Sequence, residues 1–323
     1  MAALPAIQGG ERATIVEGDP AAIDFGLRRE AYFALASSVT EVHHLYATLD
    51  LAAPGAAAEV ANVGGAREII EFARVARGLT RIVHQSSVFV SGARQGIVNE
   101  TDLGAGQGFR SPVARSLALA EAMLGRQAGV PLTILRAGHV VGDSRTGVVD
   151  RLDGPYPLLA LLASATPGTR LPLPPRAEAP LHVTPVDHLS RAALALAADP
   201  AAQGKTVHLS DPRPLSVRRL LELAGKHFGV PIEAGINPRS LGRVLLGNAG
   251  VGLLAQNLRA VVELISTPAS YDDKNAQELL APRGITCPPL ESYLDVLLSH
   301  VAARVADKRV TDASPKEPWD VAG

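Results

Sequence analysis

The 323-residue sequence predicts an α/β fold, in which a parallel sheet carries helices on both faces and a smaller, mostly helical lobe follows. Up to residue 147, short apolar segments typical of strands alternate with segments whose apolar residues recur at helical spacing. The clearest strand begins at Leu132, where an apolar run rich in β-branched residues is typical of a strand buried on both faces. After Gly147, seven prolines between residues 155 and 180 interrupt this alternation and mark the start of the lobe.

The first part of the chain supplies the alternating elements. Apolar residues three and four positions apart predict a long amphipathic helix over 56–77. Gly129 and Pro131 end the helix that precedes the clearest strand. The predicted order is strand 12–17, helix 28–38, strand 39–45, helix 56–77, strand 81–90, helix 112–126 and strand 132–135.

The second part is predicted to hold mainly helices. Thr184 or Asp187 is expected to cap the helix that they open, because both residue types are favoured at helix starts. The predicted elements are helices at 158–163, 184–198, 215–228, 241–265 and 290–305, with one strand at 206–209. We therefore predict a first domain of residues 1–147, a lobe of residues 148–307 from which strand 206–209 returns to the sheet, and a flexible tail of residues 308–323.

Composition narrows the classes of function. The formal net charge is −1, so charge does not favour nucleic acid or an anionic membrane as a partner. Cys287 is the single cysteine, which excludes an internal disulfide and is typical of a reducing compartment. The first residues lack the pattern of a signal peptide, and no apolar run approaches the ~20 residues of a membrane span. We expect a soluble, cytoplasmic protein, and the richness in Ala and Arg is typical of bacterial sequences.

Short motifs, each in the expected order, resemble a known family. They are Gly18-Asp19, His44-Leu45-Tyr46-Ala47, Asn62-Val63-Gly64-Gly65, the segment 86–92, the segment 99–102, Arg136, the segment 142–147, the segment 182–188 and the segment 285–293. Together they resemble the extended, atypical short-chain dehydrogenase/reductase family, in particular its branch of thioester reductase-like and fatty-acyl reductase-like NAD(P)-binding proteins. The resemblance runs from about residue 12 to about residue 304.

The resemblance implies a Rossmann-like, doubly wound parallel sheet and an NAD(P) cofactor. The family's first strand and the glycine-rich turn after it have no counterpart here, so we expect an N-terminally truncated sheet. Residues 1–147 would then be the nucleotide-binding domain, and residues 148–307 the substrate-binding lobe. The resemblance implies Ser87 as the catalytic hydroxyl. The implied cofactor-binding residues are Asp19, Tyr46, Ala47, Asn62, Ser86, Gly138, His139 and Val140, and the implied substrate-pocket residues are His44 and Arg145.

The family's proton donor is a tyrosine, and a lysine four residues later lowers the pKa of that tyrosine. Counting back from Ala120-Glu121 places Val113 at the tyrosine position and Leu117 at the lysine position. Neither side chain can donate a proton, which would make Ser87 vestigial. The missing pair and the missing glycine-rich turn argue against NAD(P) binding, whereas the resemblance itself implies it.

Three functions remain open. The first hypothesis is a degenerate, non-redox member of the family that binds a small or acyl ligand or acts as a partner subunit. The alternative is an NAD(P)H-dependent reductase of a thioester, an aldehyde or a related substrate, whose true start lies upstream. A third is a non-redox enzyme, such as a cyclase, isomerase or lyase, that uses Ser87, His139 and His44 as its polar groups.

Metal binding and partners complete the predictions. His43 and His44 are neighbours on a strand and point to opposite faces, so we predict no metal site there. Segment 12–17 is expected to pair beside strand 39–45, or a partner chain is expected to cover that edge, since an exposed sheet edge promotes unwanted pairing. A homodimer or a heteromer would provide that cover.

Overall fold

A computed structural model of the chain describes residues 13–48, 53–104, 106–109, 111–127, 129, 131–166, 169–173, 177–233 and 268–313. The strands are β1 (Glu41–His44), β2 (Arg81–Ser87), β3 (Gly96–Val98), β4 (Leu132–Ala137), β5 (His139–Val141), β6 (Leu171–Pro172), β7 (Val183–Pro185), β8 (Thr206–Leu209), β9 (Ile232–Glu233) and β10 (Ala269–Tyr271). The helices are α1 (Arg29–Ser38), α2 (Gly55–Ala58), α3 (Gly65–Val75), α4 (Pro112–Gly125), α5 (Tyr156–Ala163), α6 (Val186–Ala197), α7 (Val217–Phe228), α8 (Lys274–Leu279) and α9 (Leu294–Ala313).

The main sheet is parallel and has the strand order β1-β2-β4-β8. Alternate residues of β2 face opposite layers of helices, because side chains alternate along a strand. Ile82 packs with α3 and α4 on one face, whereas Val83 packs with α6 on the other. Both residues are buried. The predicted Rossmann-like, doubly wound α/β fold is therefore confirmed.

Strand β1 lies at the edge of this sheet within the described residues. The prediction of a strand over 12–17 is wrong for residues 13–17, which form no strand. Ile15 and Val16 are 66% and 52% exposed, so this segment has neither a sheet partner nor a core to face. The apolar pattern of residues 12–17 does not report whether another strand lies beside this segment. Cover of this edge by a partner chain stays a prediction.

The predicted long helix is present but is not uniform. A π-helical turn, Glu59–Gly64, separates α2 from α3. The predicted caps of α6 are wrong, because α6 starts at Val186 after Pro185 and has no side-chain cap. Thr184 instead donates to the carbonyl oxygen of Leu209, and Asp187 accepts from Ser144. The predicted helix over 241–265 lies outside the described residues.

A separate apolar core lies around α5, α7 and α9. Helix α5 is apolar on almost every side, and it is buried because α7 and α9 both pack against it. The core includes Tyr156, Leu159, Leu221 and Leu298, all of which are buried. No helix in the described part of the chain is long and apolar enough to cross a membrane.

The turn between β4 and β5 requires glycine at position 138. A Cβ atom added there would lie 2.5 Å from the carbonyl oxygen of His182, which belongs to the backbone and cannot rotate away. We expect Gly138→Ala to lower the free energy of unfolding by about 1–3 kcal/mol, as overpacked sites do. The control is Gly125→Ala in α4, where an added Cβ atom meets nothing within 4 Å and a gain of up to ~1 kcal/mol is expected. Urea unfolding measures the free energy of unfolding of both variants. Equal effects of Gly138→Ala and Gly125→Ala would contradict the requirement for glycine at position 138.

Candidate functional site

A cavity of about 100 Å³ lies where β2 and β4 end, at the carboxyl edge of the main sheet. In open α/β sheets, ligands bind outside the carboxyl ends of the strands. The lining residues are Ser87, Phe89, Val113, Ala114, Leu117, Gly138, His139, Val140, Asp153 and Gly154. We call this space the Ser87 cavity.

Ser87 is the last residue of β2 and is buried. Its Oγ donates a hydrogen bond to the carbonyl oxygen of Ala137, over 3.2 Å, and accepts one from the backbone N–H of Phe89. The second bond caps a short 3₁₀ turn, Val88–Ser91. The hydroxyl therefore lies at the cavity and is held by β4 and by the 3₁₀ turn that follows β2.

Val113 and Leu117 lie one turn apart on α4, so both side chains project from the same face of the helix. Their exposed fractions are 0% and 2%. Pro112 occupies the first turn and Ser111 caps it by accepting from the N–H of Val113, which fixes where the helix begins. The two positions counted back from Ala120-Glu121 thus form an apolar wall of the Ser87 cavity.

The opposite wall is made by Gly138, His139 and Val140. The N–H of Gly138 donates to the Oγ1 of Thr184. The ring of His139 packs on Phe89 with 4.5 Å between the ring centroids. Burial lowers the pKa of His139 to about 4, so its imidazole is neutral near pH 7. Its Nε2 is buried and has no hydrogen-bond partner within the described part of the chain.

Comparison with known proteins identifies the family. A model of NAD-binding domains, described as male sterility protein, matches residues 5–193, which is more than half of the chain. The chain belongs to this family. A relative, glycine betaine reductase ATRR of Emericella nidulans, is 32% identical over 233 residues, covering 69% of this chain and 18% of the relative. A linear gramicidin synthase of Brevibacillus parabrevis is 27% identical over 310 residues, covering 92% of this chain and 6% of the relative. The chain thus spans less than a fifth of either relative.

Solved structures agree with this assignment. The terminal R domain of the myxalamid PKS-NRPS biosynthetic pathway is 26% identical, has a TM-score of 0.78, and the match covers 90% of this chain and 74% of that one. A thiolation-reductase di-domain of an archaeal non-ribosomal peptide synthetase has a TM-score of 0.67 at 18% identity, covering 91% of this chain and 63% of that one. The second likeness supports the fold alone.

Four of the residues predicted to bind the cofactor, Asp19, Tyr46, Ala47 and Asn62, do not line the Ser87 cavity. Asp19 is exposed and accepts from the N–H of Ala21 in a turn. Asn62 accepts from the N–H of Thr48, and its amide donates to Ser116 of α4. Asn62 therefore ties the segment after β1, which carries the partly exposed Tyr46 and Ala47, to α4.

Ser86 belongs to a buried charge network rather than to the cavity lining. Its Oγ donates to Glu121 of α4, and Arg136 of β4 also donates to Glu121. Arg136 further donates to the carbonyl oxygen of Glu100, while the Glu100 carboxylate accepts from the N–H of His208 in β8. Burial raises the pKa of Glu100 to about 7. This network, which includes Ser86 and Arg136 in register on adjacent strands, ties α4 to the sheet.

The network also borders a second cavity, of about 620 Å³, between α4 and β8. Glu100, Glu121, Arg136 and Lys205 line it. Each of these charged side chains is already paired, and Lys205 faces Glu278. Although this cavity is large, its charged lining residues bond to other groups of the protein and are not left free for a ligand.

The two predicted substrate-pocket residues do not line the Ser87 cavity. Arg145 is 81% exposed along its side chain and pairs with Asp143. His44 is buried and packs on His84 of β2, with 2.9 Å between the two Nδ1 atoms.

In the described residues no group of three or more metal-ligating side chains exists. Sequence analysis assigned no site role to four lining residues, Phe89, Ala114, Asp153 and Gly154. Phe89 lies within the motif segment 86–92, whereas no motif marks the other three.

The His44–His84 pair makes stability depend on pH. Burial lowers the pKa of His44 to about 4, and burial together with the neighbouring His44 lowers that of His84 to about 3. Both folded-state pKa values lie below the unfolded value of about 6.5. The stabilising contribution is therefore complete above pH 6.5 and is lost as pH falls towards 4.

We expect the wild-type free energy of unfolding to fall with acidification below pH 6.5, by up to ~1.4 kcal/mol per pH unit for each histidine that gains a proton on unfolding. The double variant His44→Leu/His84→Leu removes two such histidines, so its slope between pH 6.5 and 4.5 is expected to be shallower. Urea unfolding at several pH values measures both slopes. Identical slopes in wild type and the double variant would contradict the assignment of this pH dependence to His44 and His84.

Proposed function

We propose that the protein is an NAD(P)H-dependent, reductase-type domain that acts on a thioester or an aldehyde. The observation that carries this proposal is the Ser87 cavity, in which a hydroxyl at the end of β2 faces Gly138, His139 and Val140. Membership of an NAD-binding family supports the cofactor. The names of two relatives, glycine betaine reductase and L-2-aminoadipate reductase, support reduction as the class of reaction.

The described residues fit the nicotinamide end of such a cofactor. Gly138, His139 and Val140 form one wall of the Ser87 cavity, and the opposite wall is apolar. Two such walls suit a flat ring. When bound, the nicotinamide supplies a hydride to the substrate carbonyl carbon.

Two groups of side chains would act on the substrate. The hydroxyl of Ser87 can turn from the carbonyl oxygen of Ala137 to a substrate oxygen, because its present bond of 3.2 Å is long for a hydroxyl donor. Val113 and Leu117 would pack against the acyl chain. Since neither can donate a proton, the proton that the reduced oxygen needs comes from water, and we expect slow turnover.

The test uses the purified full chain with S-propionyl-N-acetylcysteamine or propionaldehyde and either NADPH or NADH. We expect loss of reduced nicotinamide in step with thiol release from the thioester. Ser87→Ala is the variant that removes the hydroxyl, and we expect its kcat/KM to fall about tenfold or more. Absence of nicotinamide oxidation with both nucleotides and both substrates would contradict the proposal.

A second function is favoured by Val113 and Leu117 themselves. Two apolar side chains at these positions suit a domain that binds an acyl ligand, or a partner that carries one, without redox turnover. The two functions differ in one result. Binding of the thioester without nicotinamide oxidation would favour the non-redox function.

A further inference from the structure

His139 is held in place on two sides. On one side its ring packs on Phe89, and on the other side stands Gly154, with a φ of +57°. A Cβ atom added at Gly154 would lie 3.0 Å from Nδ1 of His139, so any other residue there would displace the imidazole. Phe89, His139 and Gly154 all line the Ser87 cavity. The local backbone therefore makes room for an imidazole at one defined place in the wall.

One nitrogen of the His139 imidazole is left without a hydrogen-bond partner within the described residues. Ser87 and the N–H of Gly138 already donate hydrogen bonds within the protein, whereas Nε2 of His139 has no partner in the described residues. A buried polar atom without a partner is uncommon and is stabilised by any ligand that pairs it. A half-turn of the ring exchanges Nε2 with Cε1, so either edge of the ring can offer the nitrogen. Because burial keeps the ring neutral, it suits a neutral acceptor better than a carboxylate.

The size of the cavity limits the ligand. The Ser87 cavity, at about 100 Å³, is much smaller than the second cavity of about 620 Å³. This space accepts a carbonyl group with a short carbon chain, and the apolar side chains of Val113 and Leu117 border it. A long chain would have to leave the cavity.

We propose that His139 binds the carbonyl oxygen of a short-chain acyl substrate through an N–H of its imidazole. This assignment rests on the proposed function, whose substrate it specifies as a neutral carbonyl compound with a short acyl chain. His139 thereby selects the orientation of the carbonyl, while Val113 and Leu117 select its length.

The experiment measures the carbonyl stretching band of S-propionyl-N-acetylcysteamine, labelled with ¹³C at the carbonyl, bound to the full chain. A hydrogen bond to the oxygen lowers the frequency of this band. We expect a lowered frequency in wild type, a similar shift in His139→Gln, which keeps an N–H donor, and no shift in His139→Phe, which keeps a ring. Binding is expected to weaken about tenfold in His139→Phe and less in His139→Gln.

A second variant, Gly154→Ala, keeps the histidine but displaces its ring, and we expect an intermediate shift. It decides the matter if His139→Phe does not fold, because a band identical to wild type in Gly154→Ala would overturn the proposal. A wild-type band in folded His139→Phe would overturn it as well. So would a lowered band on labelled nicotinamide carboxamide with none on the thioester, since the cofactor would then hold His139.

The two proposals fail separately. A His139-dependent band without nicotinamide oxidation supports the role of His139 and contradicts the reductase function. Nicotinamide oxidation with the same KM in wild type and His139→Phe supports the reductase function and contradicts the role of His139. A chain-length series of acetyl, butyryl and octanoyl thioesters tests the size limit, and octanoyl binding as tight as acetyl would contradict it.

Discussion

Replacing Val113 with tyrosine and Leu117 with lysine is expected to raise NAD(P)H-dependent turnover by about 10²-fold or more. A positioned general acid typically contributes 10²–10⁴-fold, and a lysine ammonium one helical turn away lowers the pKa of a tyrosine. Both side chains lie on the face of α4 that lines the Ser87 cavity. The measurement is kcat with the propionyl thioester.

The single variants are the matched controls for this gain. Leu117→Lys alone places an ammonium group one helical turn beyond position 113 without a phenol beside Ser87, so its turnover is expected to stay well below that of the double variant. Val113→Tyr alone is expected to gain less than the pair, because its phenol keeps a pKa near 10. Thermal unfolding of each variant checks that the fold survives. An unchanged kcat in a folded double variant would contradict the view that proton delivery limits turnover.

Removing the carboxylate of Glu121 is expected to cost about 3–5 kcal/mol of the free energy of unfolding. Glu121 and Arg136 are 1% and 2% exposed at their side chains, so Glu121→Leu leaves a buried guanidinium without its partner. The double variant Glu121→Leu/Arg136→Met removes both charges and is expected to recover most of the loss. Urea unfolding of the two single variants and the double variant gives the coupling. Additive losses would show that the two charges do not stabilise one another.

Hydrophobic periodicity predicted the sheet and its helices because it reports which side of a segment is buried. It found Leu132–Ala137, whose residues are all buried, and Pro112–Gly125. It missed β5 and β7, which are three residues long and pair only with one another. It also placed a strand at 12–17, where Ile15 and Val16 face solvent. Strand pairing depends on segments that are distant in the sequence, so the local hydrophobic pattern of a segment does not predict it.

The residues of the candidate site were likewise predicted only in part. Counting along α4 located Val113 and Leu117, and the structure places both beside Ser87 and Gly138 in one cavity. Phe89, although it lies in the motif segment 86–92, and Gly154 were not predicted as site residues, because each contributes through its proximity to His139. His44 lies elsewhere because its register with His84 on β2 pairs the two imidazoles with each other.

The most direct test of the account is a calorimetric titration of NADPH and of NADH into the purified full chain. The reductase function predicts that one of the two nucleotides binds with a stoichiometry near one per chain, and that the thioester then binds to the loaded protein. If neither nucleotide binds while the thioester does, the reductase function is contradicted and the chain is a non-redox acyl-binding domain.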